Sequence, residues 1–295
     1  MNHCIVYQAY GHKNVLNELI YSIYTLIRQH DGLQPPYKII IYTDSIQYLK
    51  EFLPEYIEYK EINRPLIEEW SGPNKFVHRV KIEMLKDVLM YNQCTSLLYA
   101  DTDTTFLSKP DQLFAQIDAG NFVMHRKEGL IDSGSNIIFK KLKRILNDKN
   151  LQRKTTLPSQ TDMYNAGVLG IPYSLKHVVD EVLEQTDILY DHASNHCMEQ
   201  LSFSYTLNQH SKEKIIEAES DIFHYWNFKE FRAILDHFFT FYSAKPYQFI
   251  LTKIDIINPK VLIKPKMHYE SLRFFPKTIQ KLKKKRWNMP VYTLD

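Results

Sequence analysis

Apolar runs that read as strands alternate with amphipathic stretches over the first hundred residues, and this alternation constrains the fold more than any other feature. Cys4–Tyr10 (CIVYQAY), Tyr37–Asp44 (YKIIIYTD), Tyr56–Ile62 (YIEYKEI) and Thr95–Ala100 (TSLLYA) have the length and the β-branched or aromatic content of strands. Between them, Val15, Leu19, Ile23, Leu26 and Ile27 recur at helical spacing, Ser45–Leu53 reads as a short helix, and Phe76, Val80, Met84 and Val88 form a second stripe behind Asn74, a good N-cap. Pro65–Pro73 reads as a loop. Strands and helices in this order predict an α/β chain with a mostly parallel, Rossmann-like central sheet and helices on both faces.

The second half is less regular. It predicts strands at Asn121–His125 and Tyr164–Ile171, a basic amphipathic helix over Ile137–Asp148, and helices over Pro172–Tyr190 and Met198–Gln209. A short strand at Lys214–Ala218 follows, and Asp221–Phe231 leads into another helix. No repeat or low-complexity linker marks a domain boundary.

The 295 residues are 44% hydrophobic, enough for a large core, and 37 basic residues against 34 acidic ones leave a net charge of +3. That balance excludes a nucleic-acid protein held by a general basic surface. With 8 glycines and no G-x-G-x-x-G or P-loop pattern, the chain lacks the usual glycine-rich phosphate cradles. Its 3 cysteines, Cys4, Cys94 and Cys197, are odd in number and widely spaced, which predicts unpaired thiols in a reducing compartment. The polar N-terminus and the lack of a long apolar run predict a cytoplasmic protein without a signal peptide or membrane span.

Chemistry concentrates in "LLYADTDTTFLSKP", Leu97–Pro110. A buried-looking strand ends in Asp101 and Asp103, and in an open parallel sheet ligands sit beyond the carboxyl ends of strands. In extended chain the two carboxylates point to one side. Aimed at one point they repel unless a cation or a proton joins them. Hard oxygen donors suit Mg2+ or Mn2+, which commonly share their shell with substrate phosphates. The spacing therefore predicts a metal-bound diphosphate.

"LLYADTDTTFLSKPDQLF" resembles the D-x-D segment of GT-A glycosyltransferases, the nucleotide-diphospho-sugar transferase superfamily, in its glycogenin-like, family 8 branch. "HRVKIEMLKDVLMYNQ" is similar to the helix before that motif, "YNAGVLGI" to the strand carrying Asn165 and Gly167, and "FHYWNFKEF" to the late His-to-Lys stretch. The resemblance implies a GT-A fold over residues 1–240, followed by a C-terminal helical extension, 241–295, with a basic tail. It implies a metal held by Asp101, Asp103 and His224, and a nucleotide-sugar donor, most often a UDP-sugar, contacted by Tyr10, Gly11, Arg79, Lys81, Asp101, Thr102, Asn165 and Lys229. Glu199, Gln200 and Asp162 fall at catalytic places of the family, with a hydroxyl of a glycan or lipid-linked molecule as acceptor. The chain departs from the family in lacking a glycine between His224 and Lys229, where the spacing is one residue short, and in having Met-Glu-Gln at 198–200 for the usual Asp-Gln.

Two other readings fit parts of the pattern. Asp101, Asp103 and Thr105 match the D-x-D-x-T motif of haloacid-dehalogenase-like phosphatases, although that motif normally opens its fold on the first strand. A non-catalytic, sugar-nucleotide-binding protein would keep the same residues. The tail, with Lys277, Lys281, Lys283, Lys284, Lys285 and Arg286 around Ile279, Leu282 and Trp287, predicts peripheral contact with an anionic membrane.

Overall fold

The computed structural model describes residues 2–91, 94–272, 274–282 and 287–294. The first half comprises β1 (His3–Ala9), α1 (Lys13–Gln29), β2 (Lys38–Thr43), α2 (Ile46–Phe52), β3 (Glu58–Glu61), α3 (Arg64–Trp70), α4 (Arg79–Tyr91), β4 (Ser96–Ala100) and β5 (Thr104–Phe106). The second half adds α5 (Asp111–Asp118), β6 (Val123–Leu130), α6 (Ile137–Leu146), β7 (Asp162–Pro172), α7 (Val178–His192), α8 (Met198–His210), β8 (Ile216–Glu217), β9 (Ile222–His224) and α9 (Phe231–Phe241). Four helices close the chain: α10 (Tyr247–Lys253), α11 (Pro259–Leu262), α12 (Lys264–Ser271) and α13 (Phe274–Leu282).

A 7-stranded sheet in the order β3-β2-β1-β4-β7-β6-β8 forms the centre, with a second sheet of β5 and β9 beside it. The β3–β2, β2–β1, β1–β4 and β6–β8 pairs are parallel, whereas β7 runs antiparallel to both β4 and β6. The expected mostly parallel α/β sheet with helices on both faces is therefore present.

Period-two alternation divides the core between those faces. Ile5, Tyr7, Ile39, Ile41 and Leu98 pack with α1, α5 and α9, while Cys4, Val6, Ile40, Tyr42, Leu97 and Tyr99 pack with α4, α7 and α8. Helix α1 is buried all round from Leu16 to Ile27. It lies between the sheet and the late helices, since Phe231, Leu235 and Phe238 of α9 and Ile250 and Leu251 of α10 belong to the same apolar cluster. Its polar residues bind inside that cluster. Ser22 Oγ is 2.8 Å from Thr104 Oγ1, and Thr25 Oγ1 accepts from Phe106 N–H at 2.9 Å, so α1 fixes β5. Residues 241–295 contribute Ile254, Ile257, Leu262, Ile263 and Leu294 to this core as well.

Several local expectations are corrected. The segment read as a loop holds α3, with Asn63 Oδ1 accepting from Leu66 N–H at 3.0 Å and a proline in the first turn, which together start a helix. Asn74 does not cap α4: Lys75 adopts φ 51°, a tight turn intervenes, and the helix begins at Arg79. Cys4 and Cys94 are not separate thiols. They form a disulfide with Cα atoms 5.8 Å apart, because Cys94 stands two residues before β4, the parallel neighbour of β1. Cys197 is free and buried. No helix among the described residues is long and apolar enough to cross a membrane. Of the tail, Lys283, Lys284, Lys285 and Arg286 lie outside the described residues.

Unfolding in denaturant without reductant should expose one reactive thiol, Cys197, and three after reduction. Three thiols before reduction in protein purified without reductant would contradict the pairing.

Candidate functional site

Strand β4 ends at Ala100, and Asp101 continues its alternation onto the face already holding Tyr99. Asp101 N–H donates to Gly167 O at 2.7 Å, so β7 fixes its backbone. The chain then turns through Thr102 and Asp103 instead of staying extended, and Thr104 Oγ1 closes the turn on Asp101 O at 2.7 Å. The two carboxylates still converge. Their meeting comes from this turn and from the β5–β9 register, which sets Thr104 opposite His224. The extended geometry expected from the i, i+2 spacing does not produce it.

One ligand atom from each of Asp101, Asp103 and His224 lies within 4.8 Å of the others. His224 Nε2 is 3.0 Å from Asp103 Oδ1 and 3.8 Å from Asp101 Oδ2. The other ring nitrogen decides the tautomer. Asn165 Oδ1 already accepts from Gly167 N–H at 3.0 Å, and its Nδ2 donates to Glu128 Oε1 at 3.2 Å. That orientation presents the carbonyl oxygen to His224 Nδ1, 2.9 Å away, which must therefore donate. Nε2, 3.0 Å from Asp103 Oδ1, then faces the two carboxylates, donating to Asp103 when the ring carries a second proton and offering a lone pair to a cation when it does not. Such a group is joined by a proton on Nε2 or by a bound cation.

The surrounding charges agree. Lys81, buried on α4, has Nζ 3.4 Å from Asp101 Oδ1, 3.0 Å from Glu199 Oε1, and donates to Ala166 O at 3.1 Å. Burial opposes its charge, but the two carboxylates outweigh that and hold its pKa above the ordinary lysine value. Burial raises the Glu199 carboxyl above the ordinary range, with Lys81 opposing. Burial also disfavours ionised Asp103, yet His224 and Lys229 hold it well below the usual carboxylate range. Lys229 Nζ lies 2.9 Å from Asp103 Oδ2 and remains half exposed. Asp101, Asp103 and Glu199 thus face two ammonium groups, Lys81 and Lys229. Two carboxylates and one imidazole fit a divalent ion.

These groups open onto a cleft of about 560 Å3 lined by Asp101, Asp103, Asn165, Gln200, His224 and Trp226, among others. Not every predicted residue reaches it. Glu199 is 3% exposed and sits behind Asp101 on Lys81. Thr102 is buried and does not line the cleft. Asp162 pairs with Lys127 at 2.6 Å at the far end of β7. Arg79 is not brought to the cleft: it binds Asp187 at 2.8 Å, Glu83 at 2.9 Å and Trp70 O, tying α4 to α7. Tyr10 and Gly11 follow the carboxyl end of β1. Gly11 has φ +84° with open space beside its Cα, and its N–H donates to Asp44 Oδ2 at 3.0 Å.

Glu128 escapes the sequence pattern. The apolar pattern of β6 stops at His125, but the strand runs on to Leu130, and register shifts at Met124/Arg126 and Lys127/Gly129 re-aim its side chains. Glu128 then joins Asn165 to Gln200, accepting from Gln200 Nε2 at 2.9 Å.

No family model matches the chain, and no curated protein matches it. Its fold is similar to that of several glycosyltransferases. The galactosyltransferase LgtC, in complex with donor and acceptor sugar analogs, is 15% identical over 72% of each chain, with a TM-score of 0.47. Mouse xyloside xylosyltransferase 1, in its apo form, is 9% identical over 74% of this chain and 86% of its own, with a TM-score of 0.47. The glycosyltransferase GlyE of Streptococcus pneumoniae TIGR4 is 14% identical over 85% of this chain and 62% of its own, with a TM-score of 0.47.

A Cβ on Gly167 would lie 2.2 Å from His224 Nδ1. Gly167→Ala should therefore displace the ring and weaken divalent-metal binding at least ~10-fold, at a stability cost of about 1–3 kcal/mol. Unchanged affinity in a metal titration would show that His224 is not a ligand.

Proposed function

We propose that the chain is a metal-dependent glycosyltransferase that moves a sugar from a nucleoside diphosphate, most simply a UDP-sugar, to a hydroxyl of a glycan or lipid-linked acceptor. The observation that carries this reading is the convergence of Asp101, Asp103 and His224 Nε2 at the mouth of a cleft beyond the carboxyl end of β4. Mn2+ or Mg2+ bound by these residues would stabilise the charge that builds on a leaving diphosphate.

The protein's own groups have distinct tasks in this account. Asn165 holds the His224 tautomer. Lys81 neutralises Asp101 from behind, and Glu199 holds Lys81 in place, so Glu199 acts as a positioning residue. Lys229, half exposed beside Asp103, is free to swing to a phosphate oxygen. Tyr10 and Gly11, at the adjacent strand end, offer an aromatic ring and an open backbone for the nucleoside. Gln200, oriented by Glu128, lines the cleft where the sugar would react. Docking of the basic tail on anionic lipid would suit a lipid-linked acceptor.

Asp103→Asn should lower Mn2+-supported transfer or donor hydrolysis at least ~10²-fold, with circular dichroism unchanged. EDTA should abolish the wild-type activity. Wild-type turnover by this variant in EDTA would refute the metal's role. Turnover of simple phosphate esters without any cleavage of sugar nucleotides would favour the phosphatase reading.

A further inference from the structure

Helices α7 and α8 pack antiparallel, so the start of one meets the end of the other. There His177, Glu181 and His210 converge, with one ligand atom from each within 4.8 Å of the others. His177 immediately precedes α7, and Glu181 follows one turn later, so the two share a helix face. His210 is the last residue of α8. Its Nε2 lies 2.8 Å from Glu181 Oε2, and the rings of His177 and His210 stand edge to face with centroids 5.6 Å apart.

We propose that this cluster is a second metal site, separate from the cleft, that takes a borderline transition-metal ion, Zn2+ first. Two imidazoles and one carboxylate make a three-ligand set that zinc completes with water or a small ligand, and imidazole-rich sets favour Zn2+ over Mg2+ and Mn2+. The cleft offers the harder set, two carboxylates and one imidazole. The nearby cations are already engaged: Lys86 Nζ pairs with Asp180 at 2.9 Å, and Lys176 Nζ donates to Tyr173 OH at 3.0 Å. Neither is committed to the cluster's ligand atoms.

The site's position gives it a structural task. From Glu199 to His210 is about 16 Å along α8 at 1.5 Å per residue. An ion there touches no reacting group. It clamps α8, whose other end presents Glu199 and Gln200, against α7.

Zn2+ titration of the full chain against a chromophoric chelator tests the assignment. An Asp103→Asn, His224→Ala double variant removes cleft ligands and should still bind one equivalent of Zn2+, with a rise in melting temperature. Adding His177→Ala and His210→Ala should weaken that equivalent at least ~10-fold and abolish the thermal shift. Co2+ in the double variant should show visible absorption of a four- or five-coordinate nitrogen–oxygen site. The proposal is overturned if the double variant binds no Zn2+ equivalent, or if the equivalent survives loss of both histidines.

Discussion

Everything at the mouth of the cleft depends on one electrostatic constraint: two carboxylates and an imidazole nitrogen held toward a common point. Such a group sets two like charges close together. It persists because each member is tied from behind by a bond that does not use the shared point. Asn165 takes the far nitrogen of His224, Lys81 and Tyr99 hold Asp101, and Lys229 holds Asp103. Gly167 is part of the same device, since it receives the Asp101 amide, donates to Asn165 and leaves room for the imidazole.

Behind those ties stands the packing. Helix α1, buried on every side, locks β5 through Ser22 and Thr25, and β5 sets the register of β9. Glu18 of α1, 1% exposed in its side chain, makes two 2.9 Å bonds to Arg232 of α9 and so fixes the element that follows Lys229. Helix-wrapping by the C-terminal residues keeps α1 dry. The site is thus carried by contacts spread over most of the chain.

What was legible in the sequence follows from what is local. Alternating strand and helix patterns gave the central sheet, because burial on both faces writes itself into short apolar runs such as KIIIY and SLLYA. Asp101, Asp103 and His224 were legible through their types, spacing and resemblance to known motifs. The turn that converges the two aspartates was not, since its geometry comes from pairing with β7 and β9, remote in sequence. Glu128 was hidden because β6 turns charged as it leaves the core. The resemblance placed Arg79 at the donor, but charge alone does not reveal that Asp187 and Glu83 occupy it. The Cys4–Cys94 bond needed the β1–β4 adjacency, which a spacing of 90 residues conceals.

A cation shared by His224 Nε2, Asp101 and Asp103 would also be engaged by a nucleoside diphosphate. 15N-edited imidazole NMR during Mn2+ titration, with and without UDP, reads that sharing at the His224 ring. The His224 ring signals should broaden paramagnetically at the lowest Mn2+ levels, more strongly with UDP and not at all in Asp103→Asn. His224 signals that stay sharp at Mn2+ and UDP concentrations supporting turnover would contradict it.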